Sequence, residues 1–173
     1  GVESEDITAV EFPNNWRILI KGYQKECKLR PLSVKTKREI LDFWFGPTGS
    51  EIRGKKRDVW TMNNTPESIA FNHEITKTFM PSYKAATRGD LDHWAFSSDG
   101  ILALCLLMNQ FPRRMFHGSR KAFATDNKIR DLVNKAITLH LDIDLDMIPA
   151  IFLYLPFGHS EKTSDQKTFL KFV

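Results

Sequence analysis

Apolar side chains recur along most of the chain at the three- and four-residue spacing of amphipathic helices. Such faces comprise Ile40, Leu41, Trp44 and Phe45, then Phe71, Ile75, Phe79 and Tyr83, and later Ile129, Leu132, Val133, Ala136 and Ile137. Residues 101–108 and 147–155 are apolar almost throughout, which is typical of buried helices. No segment alternates like a half-buried strand. The sequence therefore predicts an all-α fold of about six helices joined as helical hairpins.

Several residues mark the expected helix boundaries. Ser33 or Thr36 is expected to cap the first helix, and Ser98 with Asp99 the third. Pro81 is expected to kink or restart the second helix, and the Phe111-Pro112 step to break the third.

The chain divides into two regions by this pattern. Residues 1–33 are irregular and predict an extension or docking arm, with Trp16 as its interface candidate. Residues 34–173 predict the helical domain. Its last predicted helix stays apolar to the final residue, so Phe169 and Phe172 are further interface candidates, and more chain or a partner is expected to cover them.

Composition excludes several classes of protein. The 173 residues carry 25 Lys and Arg against 21 Asp and Glu, an excess too small for a dedicated nucleic-acid binder. Two cysteines do not indicate a disulfide framework, so an intracellular reducing compartment is expected. The longest apolar run has eight residues, too few to cross a bilayer.

The chain begins with glycine, so we expect a processed or partial chain in the cytoplasm or, after transit-peptide removal, in a mitochondrial matrix or plastid.

Two polar clusters are the candidate sites for an anionic ligand. Their members are Gln110, Arg113, Arg114 and His117 in the first cluster and His159 and Glu161 in the second. An arginine fork beside a proline would suit a carboxylate or phosphate. The alternative is structural: Arg113 pairs internally, for example with Glu161, and caps helix-end carbonyls. His159 with Ser160 and Glu161 likewise suits a helix start better than a catalytic triad.

No cofactor, metal or catalytic constellation is expected. Asp142, Asp144 and Asp146 resemble the start of a calcium loop, but the loop's later positions lack the required glycine and glutamate. The histidines and cysteines lack zinc-site spacing, and no phosphate-binding glycine loop is present.

Several motifs together identify a resemblance that begins near Arg38. They include Ile40-Leu41-Asp42-Phe43-Trp44-Phe45-Gly46, Asn109-Gln110-Phe111-Pro112-Arg113 and Tyr154-Leu155-Pro156-Phe157 with His159-Ser160-Glu161. In this respect the chain resembles domain-of-unknown-function family 924. The resemblance implies a TPR-like α-α superhelix and no settled activity. The family usually has Asp at the position of Asn109 and often Asn at that of Arg114. It tends to continue into a basic segment that is not found here, which would leave a shared polar pocket incomplete.

Three functional hypotheses remain open at this point. The preferred one is a non-catalytic scaffold or accessory subunit of a larger, organellar assembly, with other protein subunits as partners. The second is a small enzyme or binder of an anionic metabolite at the Arg113 and His159 cluster. The third is an RNA-associated protein that uses the basic loop around Arg53 and Lys55-Lys56-Arg57.

Overall fold

The computed structural model describes residues 33–61 and 64–172, and every regular element in these ranges is helical. The α-helices are α1 (Lys37–Phe45), α2 (Pro66–Arg88), α3 (Ser98–Cys105), α4 (Phe111–Met115), α5 (Asp126–Thr138), α6 (Met147–Gly158) and α7 (Thr163–Phe172). A π-helical turn, Leu106–Gln110, joins α3 to α4, so the described ranges contain six continuous helical segments. Short 3-10 helices are Asp58–Trp60, Asp92–Phe96 and Arg120–Phe123. The prediction of an all-α fold with about six helices is confirmed.

Helix α1 begins at a capping box. The hydroxyl of Thr36 accepts from the Glu39 N–H at 3.1 Å, and the Glu39 carboxylate accepts from the Thr36 N–H at 2.7 Å. These two reciprocal hydrogen bonds satisfy two backbone N–H groups at the helix start that have no partner within the helix. Of the two predicted caps, Thr36 is the one that acts.

Arginines of the basic loop after α1 donate hydrogen bonds to the C-terminal end of that helix. Arg57 donates to the carbonyls of Phe43 at 2.8 Å and Trp44 at 2.6 Å, and Arg53 donates to the carbonyl of Gly46 at 2.7 Å. Cations at a helix C-terminus satisfy unpaired carbonyls and the helix dipole together. These two arginines therefore have a structural role.

Two of the predicted helix boundaries differ from the observed ones. Helix α2 runs unbroken through Pro81, where a kink or restart was expected. Helix α3 is capped by Ser97, whose hydroxyl accepts from the Gly100 N–H at 3.2 Å, so Ser98 and Asp99 lie in its first turn. A proline inside a helix removes one backbone hydrogen bond, which the long, packed helix α2 tolerates.

The core is built from aromatic rings around α3. Residues 101–108 are all buried, as their unbroken apolar run predicted. Trp44 of α1 is fully buried, with ring centroids 6.0 Å from Trp60 and 5.5 Å from Phe152 of α6. Helices α1 and α6, which are far apart in the sequence, therefore contribute to one aromatic cluster. Trp16 and the predicted docking arm lie outside the described residues, and their role stays a prediction.

Gly100 provides a test of this packing. A Cβ at that position would lie 2.0 Å from the backbone carbonyl oxygen of Trp94, a rigid atom rather than a movable side-chain end. We expect Gly100→Ala to destabilise the protein by about 1–3 kcal/mol, because overpacked backbone contacts relax poorly. Urea unfolding measures the change. Asn134→Ala, at an exposed position of α5, is the control and should stay within about 0.5 kcal/mol; equal stability of the two variants would contradict the packing.

Candidate functional site

The central helix widens for one turn immediately before Pro112. The N–H of Phe111 donates to the carbonyl of Leu106, five residues earlier, instead of four as in an α-helix. Pro112 has no N–H, and in a regular α-helix its ring would meet the carbonyl of Met108. The π turn lets the helix continue through the proline, where the sequence predicted a break.

Two buried carbonyls of this turn are satisfied by side chains. The Thr125 hydroxyl donates to the carbonyl of Met108 at 2.5 Å, and a guanidinium nitrogen of Arg113 donates to that of Asn109 at 2.8 Å. A buried backbone carbonyl without a partner would cost free energy. The π turn is therefore stabilised by two residues that follow it in the chain.

Arg113 and Asp126 form a bidentate ion pair between α4 and α5. The two guanidinium nitrogens of Arg113 donate to the two carboxylate oxygens of Asp126 at 3.0 and 2.9 Å. Both side chains are only 12% exposed. Asp126 is also the first residue of α5, where the helix dipole favours a carboxylate. Both donors of the Arg113 fork are thus engaged inside the protein.

Asn109 connects this ion pair to His159. The Asn109 side chain is fully buried, and its amide nitrogen donates to Asp126 at 3.1 Å. Its amide oxygen then lies 3.0 Å from Nδ1 of His159 and accepts from Gln110 at 2.8 Å. This orientation places the imidazole hydrogen on Nδ1 and leaves Nε2 of His159 as an acceptor.

The pKa of His159 is lowered to about 4, mainly by burial of the ring against the protein and next by the positive charge of Arg113, while Asp126 opposes the change. The residue is exposed at one side, but its Nδ1 edge meets the fully buried Asn109. The imidazole is therefore neutral at physiological pH.

Arg114 lies away from this cluster, in the aromatic core. It donates to the side chain of Asn72 at 2.8 Å and to the carbonyl of Trp60 at 2.6 Å. Its guanidinium carbon lies 5.0 Å from the centroid of the Trp44 ring. Burial lowers the pKa of Arg114 to about 10. The two neighbouring arginines therefore have separate environments and do not act as one anion-binding pair.

A cleft of about 440 Å³ borders the polar cluster. Its lining residues belong to the 3-10 helix before α5, to the start of α5 and to the connection between α6 and α7. They are Phe123, Asp126, Asn127, Arg130, His159, Ser160, Glu161 and Lys162. Arg130 is anchored by Asp165, with 3.5 Å between Nε and the carboxylate. Glu161 and Lys162 are exposed and form no ion pair within the described part of the chain.

The predicted site residues thus fall into three groups. Gln110, Arg113 and His159 share the polar cluster, and Glu161 lies beside it on the cleft. His117 is exposed in the turn after α4. Asp126, and not Glu161, is the internal partner of Arg113. Phe169 packs partly buried over Gly158, and Phe172 stacks on Tyr154 with ring centroids 4.1 Å apart.

Sequence reasoning missed the central acid of the site. Asp126 is not among the predicted site residues, although it is the first acidic residue after Asp99. A basic stretch followed by a single carboxylate was the available signal for an ion pair. The lining residues Phe123, Asn127, Arg130 and Lys162 carry no such local signal.

Among residues 33–61 and 64–172, no group of three or more metal-binding side chains comes together. No helix in the same ranges is long and apolar enough to span a membrane.

Comparison with known proteins establishes the family. The family model described as bacterial protein of unknown function (DUF924) matches residues 40–173, and the chain belongs to this family. The protein of unknown function ATU0120 from Agrobacterium tumefaciens has a similar structure, with a TM-score of 0.66 and 30% sequence identity. The match covers 78% of this chain and 70% of that one. No curated protein matches the chain. The resemblance inferred from the motifs is confirmed.

The hydrogen bond between Asn109 and His159 predicts how the histidine titrates. We expect an NMR midpoint for His159 near pH 4. Asn109→Asp should raise it by about 1–3 pH units, because a carboxylate beside the ring stabilises imidazolium. Asn134→Asp, the same exchange at an exposed position of α5, is the control and should leave the midpoint unchanged.

The lowered pKa of His159 also determines how the stability of the protein changes with pH. The folded-state pKa of His159 lies below the ordinary value of 6.5, so between about pH 6.5 and 4 the unfolded chain binds a proton that the folded protein does not. The contribution of His159 to stability is therefore complete above pH 6.5 and is lost as the pH falls through this window. A His159 midpoint near 6.5 in the wild-type protein would contradict the described environment.

Proposed function

We propose that this chain is a helical protein-binding module and acts as an accessory subunit of a larger intracellular assembly, such as an organellar complex. The observation that carries the proposal is the exposed start of α6. This helix is apolar at every position except for the hydroxyl of Tyr154. A helix of that composition is normally buried on all sides. Here Met147, its first residue, is 78% exposed.

The exposed apolar surface extends into the preceding connection. Ile143 is 72% exposed and Leu139 is 53% exposed, and together with Met147 they form what we call the α5–α6 patch. Contact of such side chains with water is unfavourable by about 25 cal/mol for each Å² that a partner would cover. Clustered exposed apolar residues are typical of protein-binding surfaces.

Charge beside the α5–α6 patch indicates the chemistry of the partner. Asp144 and Asp146 are exposed and alternate with its apolar residues. Asp142 instead accepts a hydrogen bond of 2.6 Å from the Tyr154 hydroxyl, which fastens the connection to α6. A preformed apolar surface with an acidic rim suits a protein partner that presents an apolar ridge flanked by Lys or Arg.

The last helix offers a second surface for the same assembly. Leu170 is 75% exposed, and Phe172 keeps 47% of its surface exposed although it stacks on Tyr154. Met147 is the first residue of α6, and Phe172 is the last residue of α7. The TPR-like hairpins that the family resemblance implies would present such surfaces to protein partners.

Two competing functions have less support from the side-chain contacts. An anion-binding site centred on Arg113 would require both of its donors to leave Asp126. An RNA-binding role of the basic loop would require Arg53 and Arg57 to leave the end of α1. The three arginines are therefore engaged inside the protein, and of the basic residues in the loop only Lys55 and Lys56 stay exposed.

Native separation of extracts from the source tests the proposal. We expect the wild-type protein to migrate in a species well above its own 20.0 kDa. Met147→Glu should release it, because a charge within the α5–α6 patch opposes burial. Asn134→Glu adds the same charge at an exposed position of α5 and should leave the large species intact. A wild-type protein that migrates alone, or a Met147→Glu variant that stays in the complex, would contradict the proposal.

A further inference from the structure

The cleft beside His159 contains one unpaired cation and one unpaired anion. The charge of Asp126 is neutralised from behind by Arg113, and that of Arg130 by Asp165. Lys162 and Glu161 are the lining charges without a partner in the described part of the chain. A simple anion would be attracted by Lys162 but repelled by Glu161. A simple cation would be attracted by Glu161 but repelled by Lys162. Electrostatic complementarity therefore favours a ligand that carries both charges.

His159 adds a directional requirement to the cleft. Its Nδ1–H donates to the amide oxygen of Asn109, so Nε2 is the nitrogen that can accept a hydrogen bond from a ligand. The lowered pKa keeps the ring in this neutral state near pH 7. An ammonium group has three donors and suits such an acceptor, whereas a carboxylate has none.

Phe123 supplies an apolar wall. Its side chain is 59% exposed, and the Arg113 guanidinium carbon lies 5.2 Å from the centroid of its ring. This cation–π contact holds the Phe123 ring beside the ion pair of Arg113 and Asp126. The cleft volume of about 440 Å³ falls in the range of small-molecule sites, which is roughly 300–1,000 Å³.

We propose that this cleft binds a small zwitterion, namely a free α-amino acid with an apolar or aromatic side chain. Its ammonium group contacts Nε2 of His159 and the Glu161 carboxylate, and its carboxylate contacts Lys162. Its side chain lies against Phe123. The site is separate from the α5–α6 patch, so it goes beyond the proposed protein-binding function and does not depend on it.

Three small molecules that share a phenyl ring on a two-carbon chain test the charge requirement. L-Phenylalanine carries both charges, 3-phenylpropanoate lacks the ammonium group, and 2-phenylethylamine lacks the carboxylate. Each is titrated into the intact protein, and the His159 imidazole signals are followed by NMR. We expect a saturable shift with phenylalanine and about tenfold or more weaker binding of the other two, because each leaves one protein charge unpaired.

Variants of the two unpaired residues complete the test. Lys162→Met and Glu161→Gln should each weaken phenylalanine binding about tenfold or more. Lys167→Met removes an exposed cation of α7 outside the cleft and should not change it. The proposal is overturned if phenylalanine gives no saturable shift, if all three molecules bind equally, or if 3-phenylpropanoate binds more tightly. Retention of full affinity by Glu161→Gln would also overturn it.

Discussion

The bidentate ion pair between Arg113 and Asp126 is the interaction on which this arrangement depends. It joins α4 to α5, and through Asn109 it reaches the residue that follows α6. The central helix widens into a π turn immediately before Pro112, which has no N–H to donate. The wider turn leaves carbonyls that Thr125 and Arg113 then satisfy. Two side chains, one from α4 and one from the residue before α5, therefore satisfy the carbonyls of this turn.

The same ion pair limits what the polar cluster does chemically. Arg113 is neutralised, so its charge serves packing and holds the Phe123 ring. His159 stays neutral because burial and next the positive charge of Arg113 lower its pKa. The neutral imidazole and the unpaired Lys162 and Glu161 are left to face the cleft. The proposed protein-binding surface lies elsewhere, at the exposed start of α6, and both proposals are compatible in one molecule.

The helices could be predicted from the sequence because their causes are local. Apolar spacing, the Thr36 capping box and the unbroken apolar run of residues 101–108 each act within a few positions. The site could be predicted only in part. The structure brings the predicted residues Gln110, Arg113 and His159 together. It places Arg114 against Trp44, which only the fold shows. The pairing of Arg113 with Asp126 depends on how α4 meets α5, which no local pattern encodes. The passage of the chain through Pro112 likewise depends on burial of the surrounding helix.

A double-mutant cycle between Arg113 and Asp126, measured by urea unfolding, tests the central claim most directly. Arg113→Met and Asp126→Ala should each cost about 3–5 kcal/mol, because each leaves a buried charge unpaired. The double variant should be more stable than the sum of the two losses implies, with a coupling of about 2 kcal/mol or more. The exposed pair Arg88 and Asp90 is the control and should show a coupling of about 0–1 kcal/mol. Additive losses at Arg113 and Asp126, with a coupling no larger than that of the control pair, would contradict the account.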